Sequence, residues 1–147
     1  MEPSRVLKRT ESTSYAAPST GSLESMTAAC VTELMNAATS FHKLHLKVQG
    51  MGSYAGHKTL NELYDAMHGH ADNIAEGFQG ASEKILEYTD VAPRVLNSIQ
   101  DAISYIRDMT QMVNTLQGKM PYSEIINDLD NIKSTLNSGK YKLLFLK

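Results

Sequence analysis

The five histidines of this 147-residue chain are concentrated in one stretch, where they are interspersed with carboxylates. Four of them lie between His45 and Glu76, and the fifth, His42, comes just before this stretch. Imidazole and carboxylate groups are the ligands that suit iron and other borderline metals. Their concentration in one stretch is the main functional signal in the sequence, and it predicts a metal-binding site.

The second part of this stretch has the repeat of an α-helix, with its polar residues at intervals of about one turn. Side chains three or four residues apart share one face of a helix. The polar face is formed by His57, Asn61, His68, Asp72 and Glu76. A charged face is most often the solvated side of a helix, so the pattern alone leaves both a solvated face and a metal-binding face open.

The first part of the stretch ends an earlier helical segment, whose apolar residues recur at steps of three and four. His45 continues this apolar stripe one turn after Phe41. The pattern therefore allows either a hydrogen-bonded core histidine or a metal ligand at this position. His42 lies off the stripe, and we expect it to be exposed.

The composition favours packed helices over other folds. Hydrophobic residues make up 41% of the chain, but there is no tryptophan and only 7% of residues are aromatic. A net charge of -2 gives the chain no strong attraction to nucleic acid or to an anionic membrane. The single cysteine, Cys30, excludes an internal disulfide framework and is expected in the core. The sequence has no apolar run of membrane-spanning length and no signal-peptide pattern. The chain is therefore expected to be soluble and intracellular, or packaged in a larger assembly.

Apolar repeats predict four helices that must position the histidine-rich stretch. The first begins after Ser22 and ends before Gly50, the second covers about residues 54–79, the third runs from near Pro93 to about Leu116, and the fourth lies between Pro121 and Gly139. Residues 81–94 are expected to form a longer connection with one or two helical turns. Four helices with apolar stripes and one longer middle connection predict an all-α fold, an antiparallel four-helix bundle of the ferritin-like variant.

Segments of different character flank the predicted bundle, which covers residues 23–138. Residues 1–22 are rich in Ser, Thr and Pro and are expected to form an extended arm, either solvated or clasping another subunit or partner. Residues 139–147 are short and apolar between lysines, and they are expected to be a tail that docks on its own bundle or on a neighbour.

The histidine-rich stretch resembles the Dps proteins, the mini-ferritins that protect DNA in starved bacteria. Their signature is a histidine followed by Trp-Asn and a glycine, then a second histidine with an aspartate four residues later, and finally an Asp-x-x-x-Glu pair. His45 and Gly50 match the first part, His57 the second histidine, and Asp72 and Glu76 the acidic pair. The overlay needs no gap between His45 and Glu76.

The chain also departs from this signature. Leu46 replaces the tryptophan, and Asn61 replaces the aspartate that follows the second histidine. Gly52 and Ser53 stand in place of Asn-Phe in the turn, and Gly77 stands where the family has arginine. The sequence leaves open whether the neutral Asn61 abolishes activity.

The resemblance implies a ferroxidase site shared by two subunits. The implied metal ligands are His45 and His57 of one chain with Asp72 and Glu76 of another, and the further candidates are Asn61 and His68. His57 and Asp72 lie about 22 Å apart along a helix axis at 1.5 Å per residue, so they cannot share a metal within one chain. A two-fold dimer would bring them together.

Two functions of different classes remain open at this stage. In the first, a Dps-like protein of the bacterial cytoplasm oxidises Fe(II) and stores ferric iron in a homo-oligomeric shell, a dodecamer if the family pattern holds, with no organic cofactor. In the second, a catalytically silent ferritin-like protein is a structural or assembly component, such as part of a bacteriophage virion, and its two terminal segments hold neighbouring subunits. DNA binding is expected to be weak at most, because the arm holds only three basic residues.

Overall fold

The computed structural model describes residues 21–147, and this part of the chain contains four helices and no strand. The helices are α1 (Leu23–His45), α2 (Ser53–Ser82), α3 (Ile99–Gln117) and α4 (Ser123–Phe145). The prediction of an all-α fold with four helices is confirmed. The predicted N-terminal arm lies outside the described residues except for Gly21 and Ser22.

Helix α1 begins after Ser22, as its sequence indicates, and ends at His45, before the turn that contains Gly50. The Ser22 hydroxyl accepts a hydrogen bond from the Ser25 backbone N–H at 3.0 Å, which satisfies one of the free donors of the first turn. The turn after α1 requires two residues with positive φ, Gly50 at 99° and Gly52 at 81°. Glycine adopts this conformation without the steric cost that a Cβ would bring. The turn therefore sets α2 back against α1.

Each helix packs against two others around one shared core. Helices α1 and α4 both contact α2 and α3. Lys84, just after α2, pairs with Glu24 at the start of α1 at 3.3 Å, so these two helices run in opposite directions. Lys142, near the end of α4, pairs with Glu62 near the start of α2 at 2.8 Å, so α4 is antiparallel to α2 as well.

Residues 83–98, called the long connection below, lie along α1 and carry the chain back to the start of α2. Three α1 side chains donate hydrogen bonds to its backbone carbonyls: Thr32 to Thr89, Asn36 to Val91 and Ser40 to Arg94, at 3.4, 2.6 and 2.6 Å. Leu86 and Leu96 are buried and anchor its two ends. Helix α3 then begins with Ile99 against Gly56 of α2.

The predicted helical content of the long connection was wrong. None of residues 84–98 is helical, and α3 begins at Ile99 with Ser98 as its N-cap, not near Pro93. Val95, which lies within the range predicted for the third helix, is 73% exposed. In this segment the carbonyls of Thr89, Val91 and Arg94 accept side-chain hydrogen bonds from α1, which replace bonds that a helix would supply.

The core is built from aliphatic and methionine side chains of all four helices, with few aromatic rings. Its largest fully buried members are Tyr105, Phe41, Phe78, Leu34, Leu44, Leu60, Leu63, Met67, Ile74, Ile103, Ile106 and Met109. Cys30 is completely buried, which confirms its prediction as a core residue. Burial raises the pKa of its thiol to about 12. No described helix is both long enough and apolar enough to cross a membrane.

The prediction that the fourth helix stops at Gly139 was also wrong, because α4 continues to Phe145. Gly139 is buried against Leu63 of α2, and a Cβ placed there would lie 2.7 Å from Leu63 Cδ2. The glycine thus serves close packing between helices. Leu143, beyond it, is buried in the core, so the C-terminal segment packs partly on its own bundle.

Substitution of Gly139 by valine should lower the free energy of unfolding by about 2 kcal/mol, because overpacking forces Leu63 to move. The matched control is Gly80→Val, since a Cβ at Gly80 meets no atom within 4 Å. Urea unfolding of both variants measures the difference. Equal stability of the two variants would contradict the close contact of α4 with α2.

Candidate metal site

The imidazole rings of His45 and His57 form the centre of the candidate site. His45 is the last residue of α1 and is 8% exposed, while His57 lies in the first turns of α2 and is half-buried. The two rings stack with centroids 3.6 Å apart and planes inclined by 20°. The two-glycine turn between α1 and α2 therefore brings these histidines, twelve positions apart in sequence, into direct contact.

Reciprocal hydrogen bonds fix the orientation of both rings. His45 Nδ1 lies 2.8 Å from the His57 carbonyl oxygen, and His57 Nδ1 lies 3.0 Å from the His45 carbonyl oxygen. A carbonyl oxygen only accepts, so each neutral ring carries its proton on Nδ1. Each Nε2 then presents a lone pair, and none of the described residues forms a hydrogen bond with it. Metal-binding histidines are held in the same way by a hydrogen bond from their second ring nitrogen.

Asn61 lies beside the histidine pair and is already engaged within α2. Its Oδ1 accepts a hydrogen bond from the Tyr64 hydroxyl at 2.9 Å, and its Nδ2 donates to Asp65 at 2.9 Å. Asn61 and His57 line one open groove of about 390 Å³ together with Tyr54, Lys58 and Glu62. The groove gives a metal ion access to His57 from solvent.

His42 extends the cluster in a way that sequence reasoning did not find. It is exposed, as predicted, but its ring stacks on that of Tyr64 with centroids 3.9 Å apart. The Tyr64 ring also lies 5.2 Å from the His45 ring in an edge-on arrangement. Tyr64 therefore connects His42, His45 and Asn61. The sequence carries no clear signal for this contact, because a residue off the apolar stripe of α1 can face solvent or either neighbouring helix.

The remaining predicted ligands lie farther along α2. Asp72, Glu76 and His68 are all exposed, and none of them forms a side-chain hydrogen bond or ion pair with another described residue. No group of three or more His, Cys, Asp or Glu side chains within residues 21–147 is arranged to hold a metal ion. One chain thus brings together His45, His57 and Asn61 but not the acidic pair.

His70 does not join the polar face of α2. It is half-buried on the side of α4, where its Nε2 lies 2.9 Å from the Thr135 hydroxyl. Burial lowers its pKa, while the nearby carboxylate of Asp128 opposes this shift. His70 therefore belongs to the packing between α2 and α4.

A second polar cluster, which sequence reasoning missed, lies in the core between α1 and α3. Glu33 is only 3% exposed and accepts a hydrogen bond from the Tyr105 hydroxyl. Arg94 of the long connection stacks over the Tyr105 ring at 4.5 Å and pairs with Asp108 at 2.8 Å. The sequence did contain a signal for this cluster. Glu33 lies three residues after Cys30 on the apolar stripe of α1, and a carboxylate at such a position indicates a buried acid.

Burial dominates the electrostatics of this second cluster. It raises the pKa of the Glu33 carboxyl to about 7, although the hydrogen bond from Tyr105 and the Arg94 guanidinium both act to lower it. Burial, reinforced by Glu33, also raises the pKa of Tyr105 well above its usual value. Glu33 is thus an acid that changes charge near neutral pH inside the bundle.

Comparison with known proteins assigns the chain to a family but not to an activity. Residues 45–143 match a family of unknown function, DUF5856, and the chain belongs to this family. The match begins at His45 and includes every predicted metal ligand. No curated protein and no solved structure matches the chain.

Proposed function

We propose that this protein binds Fe(II) through His45 and His57 and promotes its oxidation, with carboxylates supplied by a second copy of the chain. The observation that carries the proposal is the fixed orientation of the two rings. Both Nδ1 atoms are held by carbonyl oxygens, which leaves each Nε2 atom with a lone pair that can bind a metal ion.

His45, His57 and Asn61 alone would give a divalent metal too few ligands, and none of the three carries a negative charge. Asp72 and Glu76 are the carboxylates that the Dps resemblance assigns to the partner chain. Their exposure and their lack of in-chain partners among the described residues support this role. Within one chain Asp72 and Glu76 lie about 22 Å and about 28 Å from His57 along the helix axis, so a two-fold contact is needed.

The arrangement of the helices supports a ferritin-like bundle as part of the same proposal. Ferritin-like folds have one long crossover connection between their second and third helices. Here the long connection lies along α1, and α3 begins beside the start of α2. Metal sites of such bundles are built on helix side chains, as proposed here.

The proposed reaction needs an oxidant but no organic cofactor. Two Fe(II) ions each lose one electron, and one hydrogen peroxide takes up these electrons and two protons to form two waters. With dioxygen as oxidant, four Fe(II) ions and four protons are consumed for each dioxygen reduced to two waters. The role of the chain is to hold Fe(II) through imidazole and carboxylate groups, which also suit the ferric product.

Removal of either half of the site should abolish rapid Fe(II) oxidation and leave the fold intact. The variants are His57→Ala and Asp72→Ala, with Lys58→Ala and Asn73→Ala as controls at the neighbouring exposed positions. Oxidation is followed by absorbance near 300 nm after Fe(II) addition, and the fold by thermal unfolding. Wild-type rates in both site variants would show that the assignment of these ligands is wrong.

Mixing the two inactive variants tests whether the site is shared between chains. In a mixed dimer one site carries both lesions and the other carries none. Random pairing of equal amounts should therefore restore about a quarter of the wild-type activity. No recovery after unfolding and refolding of the mixture would show that His57 of one chain and Asp72 of another do not form a common site.

A second candidate function is a structural or assembly protein that has kept the bundle without the chemistry. The observation that favours it is Asn61, a neutral side chain whose oxygen and nitrogen are both engaged inside α2. Fe(II) titration of the purified metal-free protein, with the native mass measured in parallel, separates the two functions. Saturable oxidation in a closed shell supports the first, and no binding above a buffer control supports the second.

A further inference from the structure

Lysines are concentrated at one end of the bundle, which is called the basic end below. It is formed by residues 43–62, 97–101 and 138–147, which include the α1–α2 turn, the start of α3 and the last turns of α4. These three segments contain six lysines and two acidic residues, a net charge of +4, although the whole chain carries -2. Folding therefore gathers a positive surface that the overall charge of the chain conceals.

A cavity of about 470 Å³ lies between these three segments, which shows that they adjoin in space. Lys47 and Lys147 border the cavity. Its apolar lining includes Met51, Leu143 and Leu146. The volume lies within the range of small-molecule sites. Because cationic and apolar side chains surround the same space, the cavity suits a ligand that is anionic in one part and apolar in another.

The basic end also exposes large apolar side chains. Of the ten such side chains that are exposed among the described residues, six belong to this end: Leu46, Met51, Tyr54, Tyr141, Phe145 and Leu146. Met51, in the α1–α2 turn, is fully exposed, and the rings of Tyr141 and Phe145 contact each other with centroids 5.7 Å apart. Exposed apolar surface of this extent marks an interaction site. Here it is interspersed with lysines.

The chemistry of the basic end fits an anionic membrane surface better than a nucleic acid. All six of its basic residues are lysines, whereas base recognition and bidentate phosphate binding favour arginine. The side chains of Leu46, Met51 and Leu146 have no partner on a sugar-phosphate backbone, but they can enter the apolar part of a lipid interface. Each lysine close to an anionic membrane surface strengthens binding about fivefold.

We propose that the basic end docks on the surface of an anionic phospholipid membrane. Met51 and Leu146 enter the lipid interface, and the cavity holds one lipid headgroup between Lys47 and Lys147. The other lysines of the basic end face the neighbouring headgroups.

Docking in this orientation brings the candidate metal site close to the membrane. Tyr54 and Lys58 belong to the basic end and also line the open groove of His57. The contact itself requires neither a metal ion nor an active site, so it goes beyond the proposed function and can be tested separately from it.

Binding of the full-length, metal-free chain to lipid vesicles tests the proposal. The vesicles consist of phosphatidylcholine alone or of phosphatidylcholine with about one third phosphatidylserine, and co-sedimentation measures the bound fraction. We expect binding to the anionic vesicles to be at least about tenfold stronger at low ionic strength and to fall steeply with added salt. Equal binding to both kinds of vesicle, or no binding to the anionic ones, would overturn the proposal.

Two charge variants show which end of the bundle binds. Lys47→Gln with Lys147→Gln removes two lysines of the basic end. The control, Lys84→Gln with Lys119→Gln, removes two exposed lysines near the end of α2 and the α3–α4 turn, at the opposite end. At about fivefold for each lysine, the first variant should bind the anionic vesicles roughly twentyfold more weakly, while the control should change by less than about twofold. Equal losses would mean that the chain as a whole is attracted and that the basic end does not dock.

An apolar variant distinguishes a membrane from another polyanion. Met51→Ser should weaken binding to the anionic vesicles about tenfold, because it removes apolar surface from the interface. Ile85→Ser, in the long connection, should leave binding unchanged, although Ile85 is 81% exposed. Duplex DNA serves as a polyanion without lipid. Unchanged vesicle binding by Met51→Ser, or tighter binding of the wild type to DNA than to the anionic vesicles, contradicts docking on a membrane.

Discussion

Replacement of Glu33 by glutamine should increase the stability of the protein at pH 8 and change it little at pH 4. Glu33 is buried between α1 and α3, and burial raises the pKa of its carboxyl to about 7. The usual value for a glutamate is 4.5. The folded protein therefore holds this proton more strongly than the unfolded chain does.

The direction of the pH dependence follows from this difference. Below the unfolded pKa the carboxyl is protonated in both states and contributes no pH dependence. As the pH rises toward the folded pKa, the unfolded chain loses the proton first, so stability falls. Above the folded pKa the ionised Glu33 lowers the free energy of unfolding by its full amount, on the order of 3 kcal/mol at about 1.4 kcal/mol per pKa unit. Glutamine has nearly the same shape as glutamate but does not ionise, so the variant does not lose this stability as the pH rises.

Urea unfolding at several pH values between 4 and 9 measures the effect. The matched control is Glu87→Gln, which changes an exposed glutamate in the long connection. We expect the advantage of Glu33→Gln over wild type to grow through this window and to level off above pH 7. A difference that stays constant with pH would show that Glu33 does not titrate differently in the folded and unfolded states.

Replacement of Asn61 by aspartate should strengthen Fe(II) binding by at least about tenfold, since a carboxylate is a better ligand for Fe(II) than an amide. Asn61 lines the same groove as His57, so the new charge would lie beside the proposed ligand. Aspartate can still accept the hydrogen bond from Tyr64. If the proposed function holds, faster oxidation should accompany the tighter binding.

The neighbouring Asp65 provides the control for this change. Asn61 donates a hydrogen bond to Asp65, so aspartate at position 61 would place two like charges one turn apart. Such a pair destabilises a helix by a few tenths of a kcal/mol. In the double variant N61D/D65N, the charge and the amide exchange places and the net charge stays that of wild type.

Calorimetric titration with Fe(II) without oxygen compares the double variant with D65N alone. If the two bind Fe(II) equally, position 61 does not contact the metal, and Asn61 is no longer a candidate ligand. If N61D/D65N binds Fe(II) more tightly but does not oxidise it faster, the oxidation step depends on groups other than the ligand at position 61.

The helices could be predicted because each one is specified locally. Ser22 caps α1, the two glycines form the turn, and the apolar stripes reappear as buried faces. The errors arose where a distant segment decides the conformation. Residues 84–98 form no helix, and three of their carbonyls accept hydrogen bonds from α1 instead. Gly139 lies inside α4 where Leu63 of α2 packs closely against it.

The geometry of the candidate site could be predicted in part, because some of it is also specified locally. His45 and His57 flank a short turn, so their proximity follows from local structure. The ring orientations depend on which backbone carbonyls face them, which no sequence pattern reveals. Glu33 was overlooked because a carboxylate on an apolar stripe can be explained only by its partner, and Tyr105 comes from a distant helix.

The single cysteine gives this chain a built-in chemical reporter of its own opening. Cys30 is wholly inaccessible, and its raised thiol pKa leaves almost no reactive thiolate at neutral pH. A thiol reagent can therefore modify it only when α1 separates from the rest of the core. The rate of modification, compared with that of the unfolded chain, gives the opening free energy of the innermost layer in native buffer, without denaturant or an introduced label.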